Sequence, residues 1–322
     1  MALKPVDNIH ALQIQAGVLG RKAGHAFEDS MTTSINGAVY PLEALPPGDQ
    51  HILTGDPALG LVRYVAHYYK SQSILAASAI STGALATSEE GQRWLTINGA
   101  NVRRCKSDLV ITLALADGKS TTVGVSTKQC NNRTPTNAQL YFTTARGFTK
   151  LLRDNGIVVS DVALAGLRRF CGDDGYRPLD EPARMRGRKV DPRRFFWEEI
   201  GDAARSEWET TLARHQDDIT RLLLQKAYID DPFVPDFKTR SSPSWEQTEV
   251  AVYAIDGLIG LSRRYQGFAL REYSVRKGSH KDPPGVTHLA PRFGVVQMQR
   301  GGQAQHPEQL QFNLEAGYFY KI

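Results

Sequence analysis

The stretch DLVITLALADGKSTTVGVSTK, residues 108–128, decides the fold. Residues 108–115 (DLVITLAL) are aliphatic and β-branched, the composition of a strand with a buried face. Ala-Asp-Gly-Lys at 116–119 carries the Asp-Gly turn signal, and residues 120–128 (STTVGVSTK) return as the second strand. Side chains alternate along a strand, so Ser126 and Lys128 share a face, with Gly124 and Thr122 behind them. A tight hairpin sets the start of one strand beside the end of the other, which places Asp108 close to Ser126 and Lys128.

Working outward, residues 17–35 predict a helix, with Val18, Leu19, Ala23, Ala26, Phe27, Met31 and Ile35 at helical spacing and Gly37 as its stop. Phe27 packs into the core in this reading, and Glu28 projects from the edge of the helix. Residues 38–56 are loop-like, and 57–86 read as helix-rich. Downstream of the hairpin, Thr134 caps a helix with Pro135 at its first position, running to a stop near Gly156. Residues 172–194 form a loop ending in a basic stretch, and 195–229 a long helix. Asp231, Pro232, Pro235 and Pro243 then break the chain. Strands follow near 268–277, 293–299 and 310–320. The order is α/β, divided into a core at 1–165 and a second region at 166–322.

Composition excludes several classes. A chain of 322 residues with 41% hydrophobic and 23% charged residues is globular and long enough for a core without disulfides. Its three cysteines, Cys105, Cys130 and Cys171, form no disulfide framework and no four-thiolate cluster, and fit a reducing cytoplasm. No apolar run spans a bilayer, and MALKPVDNIHALQIQ lacks a signal pattern, so the expectation is a cytoplasmic protein without membrane contact. The eight histidines show no zinc-ligand spacing. Asp-Gly-Lys-Ser-Thr at 117–121 ends like a P-loop, but Leu113 stands where its first glycine belongs. Trp94, Trp197, Trp208 and Trp245 read as core or interface anchors. The net charge is +5; residues 1–160 hold 15 basic and 11 acidic side chains, against 24 and 23 in residues 161–322. The surplus belongs to the half that carries the hairpin.

Two carboxylates and a lysine form a set suited to phosphodiester hydrolysis. Hard Mg²⁺ takes oxygen ligands, lowers the pKa of a water and offsets charge in the transition state. A lysine beside it orients that water or stabilises developing charge. Glu28 on a helix, Asp108 at a strand start and Ser126-Thr127-Lys128 after an 18-residue gap resemble the PD-(D/E)xK nuclease superfamily, in particular the type II restriction endonucleases. The resemblance covers roughly residues 17–155. It implies a restriction-endonuclease-like core, a mixed central sheet flanked by helices, followed by a helical and β-rich C-terminal region. It implies Mg²⁺ held by Asp108, Glu28 and the Thr127 carbonyl, with Lys128 at the water and Ser126 supporting the site. Serine at 126 departs from the family's usual acid; Glu28 supplies the missing carboxylate, with Asp29 as the substitute. Double-stranded DNA is the implied partner, and a homodimer the implied assembly.

Phosphate contacts fall to Arg21, Lys22, Arg103, Arg104, Lys106 and Arg133, which cluster around the proposed site. Sequence reading comes from phosphate or base-edge contacts of Arg186, Arg188 and Lys189 in the basic stretch and of Arg276 and Lys277, and from Gln297, Gln299 and Arg300 in a groove. A repair or recombination nuclease of the same fold, and a non-catalytic DNA-binding protein on a degenerate nuclease core, stand as alternatives.

Overall fold

The computed structural model describes residues 26–46, 52–81, 96–97, 100–101, 108–130, 138–188, 191–227, 233–238, 249–254, 257, 259–260, 268–276, 281–293, 296–300 and 309–314. Arg21, Lys22, Arg103, Arg104, Lys106, Arg133, Lys189 and Lys277 lie outside these residues, as does the start of the helix expected at 17–35. The chain forms two compact units. One comprises Met1–Thr136, Tyr228–Gly257 and Ala316–Ile322; the other comprises Asn137–Ala227 and Leu258–Glu315. The boundary expected after residue 165 therefore falls inside the second unit, and the chain returns to the first unit for two strands.

In the first unit the elements are helix α1 (26–37), β1 (Leu42–Glu43), β2 (Ile52–Thr54), α2 (Pro57–Tyr68), β3 (Ser73–Ser81), β4 (Thr96–Ile97), β5 (Ala100–Asn101), β6 (Leu109–Leu115), β7 (Ser120–Val125), β8 (Lys128–Cys130), β10 (Phe233–Lys238) and β11 (Glu249–Ala254). The sheet runs β1-β3-β6-β7-β10-β11-β2, with β8 also pairing β10. The expected hairpin is present as β6 and β7, in register from Leu109↔Val125 to Ala114↔Ser120. Gly118 turns it at φ 78°, a left-handed conformation that glycine adopts without strain.

The helix-rich segment expected at 57–86 is half strand. Asp56 caps α2, its side chain accepting from Ala58 N and Leu59 N, and Pro57 opens it. The helix ends at Tyr68, Lys70 turns at φ 58°, and SILAASAIS continues as β3. Its alanines favour a helix locally, but antiparallel pairing with β6 from Ile74 to Ser81 overrides that weak preference.

One face of this sheet, formed by Ala79, Leu109, Ile111, Leu113, Val123, Val125, Val252 and Ala254, is buried in a single apolar cluster. Phe27, Met31 and Ile35 of α1 and Leu61, Val62 and Val65 of α2 complete it, as expected for the α1 residues. Asn36 docks α1 against β3 through the backbone of Ala79, accepting from its N at 2.8 Å and donating to its O at 3.0 Å. The intervening positions, among them Thr112 and Thr122 with hydroxyls 3.0 Å apart, form the opposite face.

The second unit contains β9 (Ala138–Thr143), α3 (Ala145–Asp154), α4 (Asp161–Cys171), α5 (Pro182–Met185), α6 (Asp202–Arg214), α7 (Gln216–Ala227), β12 (Phe268–Tyr273), β13 (His288–Phe293), β14 (Val296–Arg300) and β15 (Leu310–Leu314). Its sheet runs β12-β13-β14-β15-β9. The helix expected from Thr134 starts only after β9; Thr144 is its cap, with Oγ1 accepting from Gly147 N at 3.0 Å. Pairing of β9 with β15 draws 138–143 into the sheet, where the Tyr141 ring stacks on Phe312. The long helix expected at 195–229 is divided by Gly201, at φ 101°, and again at His215. Trp197 and Trp208 are fully buried anchors, and Trp208 Nε1 donates to Ala163 O at 2.7 Å.

Helices α4 and α6 cross closely at Gly166, where a Cβ would stand 2.4 Å from Ala204 Cβ. Gly166→Ala gains about 1 kcal/mol of helix propensity. Overpacking at a buried crossing outweighs this at about 1–3 kcal/mol. The substitution is expected to lower the urea midpoint, and a variant as stable as wild type would refute the close crossing.

Candidate active site

Asp108 stands one residue before β6, and its backbone N donates to Val125 O at 2.9 Å. Its carboxylate carries the hairpin contact onward through a side chain. Oδ2 accepts from Thr127 N at 2.7 Å and from Ser126 Oγ at 2.9 Å. Ser126 is 3% exposed and Thr127 8%, so water does not compete freely for these donors. The structure therefore brings Asp108 to Ser126, as expected from the hairpin, and also to the backbone N of Thr127.

Lys128 opens β8 on the far side of this point. The register of the parallel neighbour β10 is continuous across the junction between β7 and β8: Phe233 pairs with Val125 and Asp236 with Lys128. The ladder is interrupted between those pairs, where Thr127 gives its N–H to Asp108 and Pro235 occupies the intervening position of β10. By strand alternation Asp108, Ser126 and Lys128 belong to one face, opposite the face that buries Leu109 and Val125.

Glu28 is buried on α1, the helix that covers the Leu109 face. Its neighbour Asp29 accepts from Ser81 Oγ at 2.6 Å, and Ser81 is the register partner of Leu109. Asp29 thus reaches the Ser81–Leu109 end of the sheet from the helix layer that covers the Leu109 face. Asp29 also lines a shallow depression of about 490 Å³ with Ser30, Thr33 and Ser34. Among the described residues, no group of three or more His, Cys, Asp and Glu side chains is arranged to hold a metal ion. The donors present are hard oxygens, the Asp108 carboxylate and the Thr127 carbonyl. These fit Mg²⁺, which binds through one or two carboxylates and retains waters and substrate phosphates, rather than an ion requiring a full protein cage.

In the second unit the basic stretch divides. Arg186 is exposed, as is Arg276. Arg188 is not available to a phosphate as expected, because its side chain is 6% exposed and both its Nη groups donate to Glu199, at 2.5 and 2.9 Å. Arg193 and Arg194 pair with Asp191. Burial pushes the Asp191 and Glu199 carboxyls up, but hydrogen bonds and charge from these arginines, with the Arg193 and Phe196 N–H groups, outweigh it. Both carboxyls lie below their usual range.

The registers also separate Gln297 and Gln299 from Arg300. Arg292, Gln297, Asn313 and Gln139 form one row across β13, β14, β15 and β9, and Gln299 pairs with Gln311 in the next row on that face. Gln311 Nε2 donates to Asn313 Oδ1 at 2.8 Å. Arg300 belongs by alternation to the other face, with the buried Met298 and Phe312. Asn313, Gln311 and Arg292 were invisible as site candidates in the sequence, since only strand pairing gathers them.

No family model matches the chain, and no curated protein matches it. Among solved structures, it is similar to the restriction endonuclease MspI in complex with its cognate DNA. The identity is 13% and the TM-score 0.40, with 80% of this chain and 78% of that chain covered. Among the described residues, no helix is long and apolar enough to cross a membrane.

Proposed function

We propose that the chain is a Mg²⁺-dependent endonuclease of restriction type, hydrolysing phosphodiester bonds of double-stranded DNA at a specific sequence in the cytoplasm. The observation that carries this reading is the Asp108 carboxylate, oriented by Ser126 Oγ and Thr127 N–H on the face shared with Lys128. When bound, the ion supplies a water of lowered pKa and offsets charge on the transferring phosphoryl group. Asp108, with the Thr127 carbonyl, would hold it. Ser126 keeps Asp108 from rotating, and Lys128 stabilises the negative charge that develops at the phosphate. Glu28 is the second carboxylate in this proposal, with Asp29 as the alternative. Exposed Arg186 and Arg276 contact phosphates. The amide-rich face holding Gln297, Gln299 and Gln311 reads base edges, where glutamine pairs with adenine. A homodimer places one such site on each DNA strand.

Plasmid cleavage tests the reading. Wild type with Mg²⁺ is expected to give discrete fragments and EDTA to stop the reaction, while Lys128→Ala cuts about a hundredfold more slowly. Undiminished cutting by Lys128→Ala would sink the site assignment. Salt-sensitive DNA binding by wild type without metal-dependent cleavage would replace the reading with a non-catalytic DNA-binding protein, and cutting that depends on DNA ends or structure would replace it with a repair nuclease.

A further inference from the structure

The chain between β12 and β13 leaves and re-enters its sheet through a base that is fixed at several points. Tyr273 and His288 are the last register pair of the two strands. Beyond them Ser274 Oγ donates to Val286 O at 2.8 Å. Asp282 then closes the base: its N donates to Val275 O at 2.9 Å, and its Oδ2 accepts from Val275 N at 2.5 Å. The other carboxylate oxygen, Oδ1, lies 3.1 Å from His288 Nε2. The His288 ring stacks on Phe196, and its Nδ1 lies 3.9 Å from Glu198 Oε1, which accepts from Leu289 N.

Arg276 and Lys281, the residues next inside the closed base, are both exposed. Among the described residues neither forms an ion pair. The acids around the base are spent elsewhere. The Asp282 side chain is 2% exposed and held by Val275 N and His288. Glu198 takes Leu289 N, and Glu199 takes Arg188 and Phe196 N. Two cations thus emerge from one fixed base without a counter-charge. They repel each other, and an anion between them relieves that repulsion. Both side chains are donors only, which suits the oxygens of a phosphodiester backbone.

We propose that Arg276 and Lys281 form a two-point clamp on the phosphate backbone of a DNA duplex, positioned by Asp282 through its anchor His288. That the clamped duplex is a substrate rests on the endonuclease reading; the clamp itself does not.

The test is binding of a fluorescent DNA duplex over a range of salt concentrations, with Ca²⁺ in place of Mg²⁺. Each phosphate contact adds about 0.9 to the slope of log K against log[salt], so Arg276→Ala with Lys281→Ala is expected to lower the slope by about 2. The loss should be equal on duplexes of unrelated sequence. Asp282→Ala keeps both cations but opens the base, and should bind severalfold more weakly. Asp282→Asn should bind as wild type, because its amide can accept from Val275 N and donate to His288 Nε2. His288→Phe keeps the stack on Phe196, loses the contact with Asp282 and should weaken binding as Asp282→Ala does; if one of the two fails to fold, the other decides. An unchanged slope in the double variant, or a loss confined to one sequence, would overturn the clamp. Wild-type affinity in Asp282→Ala or His288→Phe would overturn the positioning role. Plasmid cleavage separates the two readings. If wild type binds duplex with a slope that the double variant loses, yet never cuts, the endonuclease reading fails and the clamp stands. If wild type cuts and the double variant keeps the slope, the clamp alone fails. Wild type that binds no duplex overturns both.

Discussion

Asp108→Asn is expected to fold normally and to lose DNA cleavage by about a thousandfold, the scale on which removal of a principal electrostatic group acts. The asparagine Oδ1 can still accept from Thr127 N and Ser126 Oγ, which now reach the aspartate at 2.7 and 2.9 Å. The hairpin end is thus preserved, and only the charge that attracts a hard cation is gone. Asp108→Ala differs in a measurable way. It removes the acceptor of two hydrogen bonds from buried donors, and a hydrogen bond to a charged group contributes about 1.5–3 kcal/mol. The alanine variant should therefore lose both cleavage and thermal stability, the asparagine variant cleavage alone. Cleavage by Asp108→Asn at the wild-type rate would remove Asp108 from the chemistry. Equal thermal midpoints for the two variants would remove it from the support of the hairpin end.

Arg188→Met is expected to destabilise the second unit by about 3 kcal/mol, toward the lower end of the range for breaking a buried ion pair. The lower end applies because Glu199 is 33% exposed, so solvent screens part of the charge left behind. Arg188 does more than pair: Nε donates to Asp191 O at 3.1 Å and Nη2 to Arg194 O at 3.0 Å. Its guanidinium also stands 5.5 Å and 5.8 Å from the ring centroids of Phe195 and Phe196. Burial alone raises the Glu199 carboxyl; Arg188, the Phe196 N–H and His288 bring it below its ordinary value. A depressed carboxyl contributes stability that is complete above its unfolded pKa, about 4.3, and is lost as the pH falls through the folded value. Urea unfolding at pH 7 and again near pH 3 should therefore show the gap between wild type and variant narrowing in acid. A gap that does not depend on pH, or a variant as stable as wild type at pH 7, would refute the buried pair.

Most of the site's geometry was legible because it is local. Asp108 and Ser126 are brought together by a hairpin whose turn and alternation are written in consecutive residues, whereas the bond from Thr127 N to Asp108 carries no mark in that periodicity. Phe27, Met31 and Ile35 were likewise assigned to the core by helical spacing alone, and all are buried. The misreadings share one cause. Residues 73–81 and 138–143 join sheets through partners far along the chain, and such pairing overrules the preferences of alanine-rich or mixed segments. Pro235 looked like a chain break, yet β10 places it at the junction between β7 and β8, where the parallel ladder is already interrupted.

By itself the sequence determined the hairpin and the place of Asp108 beside Ser126, because backbone periodicity is a property of neighbouring residues. Only the tertiary structure decided which charges stand beside that site and which are consumed by the fold. Asp236 comes next to Lys128 from more than a hundred residues away, and Gln297 joins Asn313 and Gln139, because strand register couples segments that carry no local mark of one another. Arg188 is withdrawn from the surface for the complementary reason: a guanidinium in a basic loop goes where buried carboxylate and carbonyl oxygens can satisfy it, and those oxygens exist only once the chain has folded.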